Sequence, residues 1–134
     1  MTENDSANSP KFSLRKRLKS FSFAFNGLRV LFKEEHNARI HFAAAVVIIV
    51  AGIIFRITAF EWLALVFVIG LVLTLEAINS ALENLADFVS PQKHDQIKKV
   101  KDLAAAGVLI ATTTALITGL VIFLPKIQAL FITE

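Results

Sequence analysis

The sequence contains no cysteine, and only 19% of its 134 residues are charged. The absence of cysteine excludes both a disulfide framework and a thiolate metal site. Soluble domains usually have about 25% charged and about 45–50% apolar residues, whereas 55% of this chain is hydrophobic. A soluble globular enzyme and a disordered chain are therefore poor interpretations of this composition.

Familiar nucleotide and zinc motifs are also absent. The sequence has no Gly-x-x-x-x-Gly-Lys-Ser/Thr loop, no His-Glu-x-x-His pair and no His-Arg-Asp or Asp-Phe-Gly motif. The three histidines do not have zinc-site spacing. The glycines are isolated from one another, at Gly27, Gly52, Gly70, Gly107 and Gly119. Any phosphate chemistry must therefore use a different arrangement of residues.

The apolar residues gather in three blocks: Phe42–Phe55, Trp62–Leu75 and Leu103–Leu124. The last block has 22 uncharged residues before Pro125, and as a helix it would cover about 33 Å, enough for a hydrocarbon core of about 30 Å. The blocks predict an all-α integral membrane protein with transmembrane helices over 37–56, 60–88 and 100–124, the second extending into the cytoplasm.

An amphipathic helix is predicted ahead of these spans. Over 11–34 an apolar stripe recurs at helical spacing beside basic residues, which is typical of a helix lying on a membrane surface. The stripe consists of Leu14, Leu18, Phe21, Phe25, Leu28 and Phe32. Residues 1–10 are predicted to be disordered, and residues 11–134 to form a single membrane-embedded domain.

The basic residues are distributed unequally between the two sides of the predicted spans. All of the 14 except Arg56 and Lys126 fall before the first apolar block or between the second and third. Since cytoplasmic loops carry the Lys/Arg excess, we expect the N-terminus inside and the C-terminus outside. This topology explains the basic pI, so no nucleic-acid partner is expected.

Four polar residues share one face of the second span. Glu76, Asn79, Glu83 and Asp87 are spaced i, i+3, i+7 and i+11, which places them within a sector about 80° wide. Glu76 lies about 21 Å along the helix from Trp62, and Glu83 about 10.5 Å further toward the cytoplasm. A carboxylate within the bilayer is a functional candidate, although a polar seam that joins helices is the alternative.

Carboxylates and a lysine also gather at the predicted cytoplasmic surface. Carboxylates together with phosphate oxygens suit Mg²⁺, and lysine suits phosphate. The residues concerned are Glu34, Glu35, Glu83, Asp87, Lys101 and Asp102. Their chemistry is compatible with phosphoryl transfer.

Three segments together resemble a known family. Residues 76–87 resemble the E-x-x-N-[ST]-A-[IL]-E-x-x-x-D signature of the bacterial integral-membrane diacylglycerol kinase/undecaprenol kinase family. Residues 35–41 (Glu-His-Asn-Ala-Arg-Ile-His) and 101–110 (Lys-Asp-Leu-Ala-Ala-Ala-Gly-Val-Leu-Ile) resemble its flanking segments. The resemblance covers roughly residues 12–126, and the first flanking segment is more like the undecaprenol kinase branch.

The resemblance implies an ATP- and Mg²⁺-dependent kinase that phosphorylates the hydroxyl of undecaprenol or diacylglycerol, as a homotrimer in the bacterial inner membrane. It implies that Glu76 is the general base, that Asn79 orients it, and that Glu35 and Glu83 hold Mg²⁺ on ATP. The other implied nucleotide residues are Lys16, Phe23, Asp87, His94, Lys101 and Asp102, and Arg39 is a further candidate at the lipid substrate.

The chain departs from the family pattern at two of these positions. Lys16, with Arg17 adjacent, stands where the family often has an arginine, and Phe23 lacks a hydroxyl. Two other functions remain open on the residues alone: a small ion or proton pathway, and a non-catalytic membrane adaptor. The outer half of the second span has no ionisable residue after Trp62, which disfavours a proton relay.

Overall fold

The computed structural model describes residues 13–132, apart from the side chains of Arg15, Lys16 and Arg17. Four helices follow one another along the chain: α1 (Leu14–Glu34), α2 (His36–Ile54), α3 (Ala59–Val89) and α4 (Asp95–Ile132). The last three are each long and apolar enough to cross a membrane. The prediction of an all-helical chain with three such helices is confirmed, whereas the surface position of α1 and the orientation stay predictions.

A single residue, Glu35, separates α1 from α2. Its backbone is extended, with φ −95° and ψ 115°, and breaks the helix there. The end of α1 packs on the rest of the chain through the buried Leu31 and through an edge-on contact between the rings of Phe32 and Phe42, whose centroids are 5.1 Å apart. The apolar side chains earlier in α1, from Leu14 to Leu28, are exposed in the single chain.

A tight turn joins α2 to α3 into a hairpin. The Ile57 N–H donates to the Gly52 carbonyl and the Arg56 N–H to the Ile53 carbonyl, a pattern that closes helix C-termini around a left-handed residue. Arg56 has that conformation, with φ 49°, where glycine is usual. Thr58 and Glu61 then cap the start of α3 reciprocally, each side chain accepting from the other's backbone N–H.

The apolar core lies at the end of the hairpin that carries this turn. Ile57, Leu65, Ile122 and Phe123 form its buried centre, and the rings of Phe55 and Phe123 meet edge to face at 5.9 Å. Helices α3 and α4 make the most extensive contact of any helix pair in the described residues. Burial of these side chains fixes α4 along α3, and it leaves the polar residues of α3 at the opposite end of the molecule.

The last helix extends beyond the predicted transmembrane span of residues 100–124 at both ends. It begins at Asp95, not at residue 100, because the Gln96 N–H donates to Nδ1 of His94, which caps the helix. It also runs through Pro125 to Ile132. Tertiary contact holds the segment beyond the proline, since Nζ of Lys126 lies 3.0 Å from Oε1 of Glu61 at the start of α3.

At Gly52 the α2 backbone lies so close to the Trp62 side chain of α3 that a larger residue does not fit without movement. A Cβ added there would lie 2.8 Å from Cη2 of Trp62 and 3.1 Å from Cδ1 of Ile57. We expect Gly52→Val to destabilise the fold by about 1–3 kcal/mol, because overpacking forces the rigid indole to move. Thermal unfolding of the purified protein in detergent measures the effect.

Gly70→Val is the matched control for this substitution. A Cβ at Gly70, on the neighbouring helix, meets nothing within 4 Å in the chain. A melting temperature for Gly52→Val equal to that of Gly70→Val would contradict the close approach of α2 to Trp62.

Candidate active site

The polar residues of α3 lie on one face because the helix is continuous from Ala59 to Val89. Their exposure rises along the helix. Glu76 is 3% exposed, Asn79 and Glu83 are half-buried, and Asp87 is exposed. The helix therefore presents one carboxylate inside the molecule and others progressively nearer its surface.

Glu76 faces His41, on the second turn of α2. Oε1 of Glu76 lies 3.0 Å from Nε2 of His41, whose side chain is 22% exposed. Neither this oxygen nor Oδ1 of Asn79 has a hydrogen-bond partner of good geometry within the described residues. A buried acceptor without a donor is costly, so both atoms are suited to receive a hydrogen bond, from a bound molecule or from a neighbouring side chain that turns toward them.

The structure brings Glu35 and Glu83 to the same region as Glu76. Oγ of Ser80 donates to Oε1 of Glu35 at 2.7 Å, which ties the α1–α2 junction to α3. Nδ2 of Asn79 donates to Oε1 of Glu83 at 3.0 Å. Both carboxylates are near enough to Glu76 to repel it electrostatically. The result is a concentration of negative charge that favours a bound cation.

A second group of charged residues joins α3 to α4 below this cluster. Nζ of Lys101 lies 2.6 Å from Oδ1 of Asp87, one helical turn beyond Glu83. Asp102 pairs instead with Lys98 on its own helix, at 3.4 Å, and both of these side chains are largely exposed. Lys101 is thus held beside the acidic face of α3, where its ammonium group can meet a phosphate.

The remaining predicted site residues make contacts with residues other than the carboxylates of α3. Nη2 of Arg39 lies 3.4 Å from Nδ1 of His36, Nζ of Lys19 lies 5.8 Å from the ring centroid of Phe23, and His94 caps α4. Within residues 13–132 these contacts do not join the three side chains to the carboxylate cluster. The side chain of Lys16 lies outside the described part of the chain, so its contact with the nucleotide stays a prediction.

An apolar groove runs between α2, α3 and α4 and reaches His41. Its volume is about 520 Å³, and its walls are almost wholly hydrocarbon side chains, among them Ala45, Ile48, Val72, Leu73, Ala115 and Leu116. A groove of this kind binds hydrocarbon. Because His41 lies both in the groove and against Glu76, the buried carboxylate is at one end of a space that fits an apolar chain.

The donor set fits a magnesium ion that is brought in with a nucleotide. Among the described residues, no group of three or more His, Asp or Glu side chains could hold a metal ion by itself. Mg²⁺ commonly takes one or two carboxylates and completes its shell with phosphate oxygens and water. Glu35 and Glu83 can supply the two carboxylates.

Sequence reasoning gave no role to His41 or Ser80, which contact two of the predicted carboxylates. A signal was present for His41, because an ionisable residue at the start of an apolar span is itself a functional candidate. Ser80 had a weaker one: it lies four residues after Glu76 and three before Glu83, on the same face of the helix.

Comparison with known proteins agrees with this arrangement. The family model "Prokaryotic diacylglycerol kinase" matches residues 22–123. An undecaprenol kinase of Bacillus subtilis is 33% identical over 114 residues, covering 85% of this chain and 93% of that protein. A diacylglycerol kinase of Synechocystis is 34% identical over 86% of this chain and 66% of that protein. A diacylglycerol kinase of Escherichia coli is 29% identical over 75% and 83%, respectively. The chain therefore belongs to the prokaryotic diacylglycerol kinase family, and it is a lipid kinase.

Proposed function

We propose that the chain transfers the terminal phosphoryl group of Mg-ATP to the hydroxyl of a membrane lipid alcohol, at the cytoplasmic face of the bacterial inner membrane. One observation carries the proposal: the buried Glu76 lies between an apolar groove and a pair of carboxylates, so a lipid and a metal-nucleotide can meet at it.

The groove and Glu76 support the lipid half of the reaction. A hydrocarbon chain in the groove would bring its polar end to His41 and Glu76. Glu76 then acts as the general base that takes the hydroxyl proton, since it is a buried carboxylate beside His41 at the end of the groove. Asn79 orients the site, and Arg39 is a further residue for the lipid head.

The outer carboxylates and Lys101 support the nucleotide half. Glu35 and Glu83 hold Mg²⁺ on the ATP phosphates, and Lys101 neutralises phosphate charge. As the lipid oxygen bonds to the γ-phosphorus, the bond to the bridging oxygen breaks and ADP leaves with the electron pair. Positioning and charge neutralisation supply the catalysis. Further nucleotide contacts are assigned to Lys16, Phe23, Asp87, His94 and Asp102.

The charge distribution supports a cytoplasmic site. With all basic residues except Arg56 and Lys126 on one side of the spans, the positive-inside rule places α1 and the α3–α4 connection inside the cell. The cluster of Glu35, Glu83 and Lys101 then opens toward cytoplasmic ATP. The amphipathic α1 lies on the membrane surface beside it.

The lipid is either undecaprenol or diacylglycerol, the alcohols for which the relatives are named. An apolar wall distinguishes hydrocarbon chains poorly, because contacts with different chains bury similar surface. The assembly is a homotrimer, as the resemblance implies. The side chains of Asp87 and Asp102 are largely exposed in a single chain, and a neighbouring protomer completes the site there.

An assay with purified protein tests the proposed function. The protein is given Mg-ATP with undecaprenol, with diacylglycerol or with no lipid, and the lipid extract is analysed for phosphorylated product. We expect a lipid phosphate with at least one alcohol and none when Mg²⁺ is chelated. ATP consumption without any phosphorylated lipid would contradict the proposal.

A further inference from the structure

His41 is the one side chain outside α3 that faces the buried oxygen of Glu76 in the described residues. Its Nε2 is 3.0 Å from Oε1. The ring is on α2, whereas Glu76 is on α3, so the contact depends on how the two helices pack. A carboxylate that is 3% exposed requires a donor in order to stay ionised without a large loss of free energy.

The neighbouring donors on α3 make their hydrogen bonds with other carboxylates. The amide of Asn79 donates to Glu83, and the hydroxyl of Ser80 donates to Glu35. Both of those recipients are carboxylates that repel Glu76. This leaves the His41 imidazole as the group placed to fix the Glu76 carboxylate.

We propose that His41 is the positioning residue for the general base, an inference that rests on the proposed function. With a proton on Nε2, His41 donates to Oε1 of Glu76 and holds the carboxylate with Oε2 toward the lipid hydroxyl. The lipid proton passes to Oε2 as the oxygen–phosphorus bond forms, and His41 keeps its own proton throughout.

The position of His41 in the wall of the apolar groove supports the same role. Because the ring forms part of the groove wall, a chain lying in the groove passes the imidazole before its hydroxyl reaches Glu76. His41 therefore fixes the base at the place where the hydroxyl arrives, and it does so without touching the nucleotide.

Three variants test this role in the purified, assembled protein. His41→Leu removes the donor, and we expect kcat to fall about 10- to 100-fold, as for a lost hydrogen bond to a charged group, with the KM for Mg-ATP within twofold of wild type. His41→Gln keeps an amide donor near the position of Nε2, and we expect it to retain kcat within about fivefold. Asn37→Leu, an exposed polar residue of the same helix, is the matched control and is expected to leave kcat unchanged.

The possible results separate this inference from the proposed function. If wild type phosphorylates lipid and His41→Leu does so at the same rate, the role of His41 is wrong and the kinase function stands. A His41→Gln variant as impaired as His41→Leu would also overturn the donor role. If wild type phosphorylates neither lipid, the proposed function itself fails. Should His41→Leu not fold, His41→Asn replaces it, because its shorter amide does not reach Oε1 and the same loss of kcat is expected.

Discussion

Replacing Glu76 by glutamine is expected to lower kcat for lipid phosphorylation about 10²- to 10⁴-fold, the contribution typical of a general base. The amide has nearly the same shape as the carboxylate but cannot accept the hydroxyl proton. Because Glu76 is buried and is not one of the carboxylates proposed to hold the metal-nucleotide, the KM for Mg-ATP should stay close to that of wild type. Initial rates at saturating lipid, with Mg-ATP varied, measure both quantities.

Glu61→Gln is the matched control for this experiment. Glu61 is on the same helix but at its other end, where it pairs with Lys126, and its replacement should leave kcat unchanged. If Glu76→Gln turned over at the wild-type rate, Glu76 could not be the general base.

Simultaneous Glu35→Ala and Glu83→Ala should instead weaken the binding of Mg-ATP. The double variant loses both carboxylates assigned to Mg²⁺, and no set of three metal-binding side chains exists in the described residues to replace them. We expect the KM for Mg-ATP to rise at least tenfold, because one or two protein carboxylates are what anchors such an ion. Rates against Mg-ATP at saturating lipid, and nucleotide binding by calorimetry, measure the effect.

The control for the double variant is Glu34→Ala with Asp95→Ala. These two acids are exposed, and they make no contact with Glu76 in the described residues. They remove the same formal charge from the molecule. If this pair raised the KM as much as Glu35→Ala with Glu83→Ala, general loss of negative charge would account for the result, and the assignment of the metal-binding carboxylates would be wrong.

The helices themselves were largely predictable because each depends on a local property. Leu103–Leu124 is long enough to span a bilayer whatever surrounds it. The polar face of α3 needed only an uninterrupted helix from Glu76 to Asp87. Capping by His94 and continuation through Pro125 were not predictable, because the first rests on a side-chain conformation and the second on a tertiary contact of Lys126.

The contacts within the site depend on packing between helices, which sequence periodicity does not fix. Periodicity gives the face of α3 that carries Glu76, but not the rotation of α2 that turns His41 toward it. The same holds for Ser80 and Glu35, which are 45 residues apart in the chain. The resemblance to the family motif identified the carboxylates. The residues that contact them, His41 and Ser80, were identified only in the folded structure.

Sidedness of the reaction tests the central claim most directly, since the claim joins a lipid hydroxyl in the bilayer to ATP from the cytoplasm. Mg-ATP is added to sealed membrane vesicles of the two orientations, and phosphorylated lipid is measured. Inverted vesicles, with the cytoplasmic face outward, should form lipid phosphate, and sealed right-side-out vesicles should form it only after they are permeabilised. Equal product from sealed right-side-out vesicles would contradict the claim.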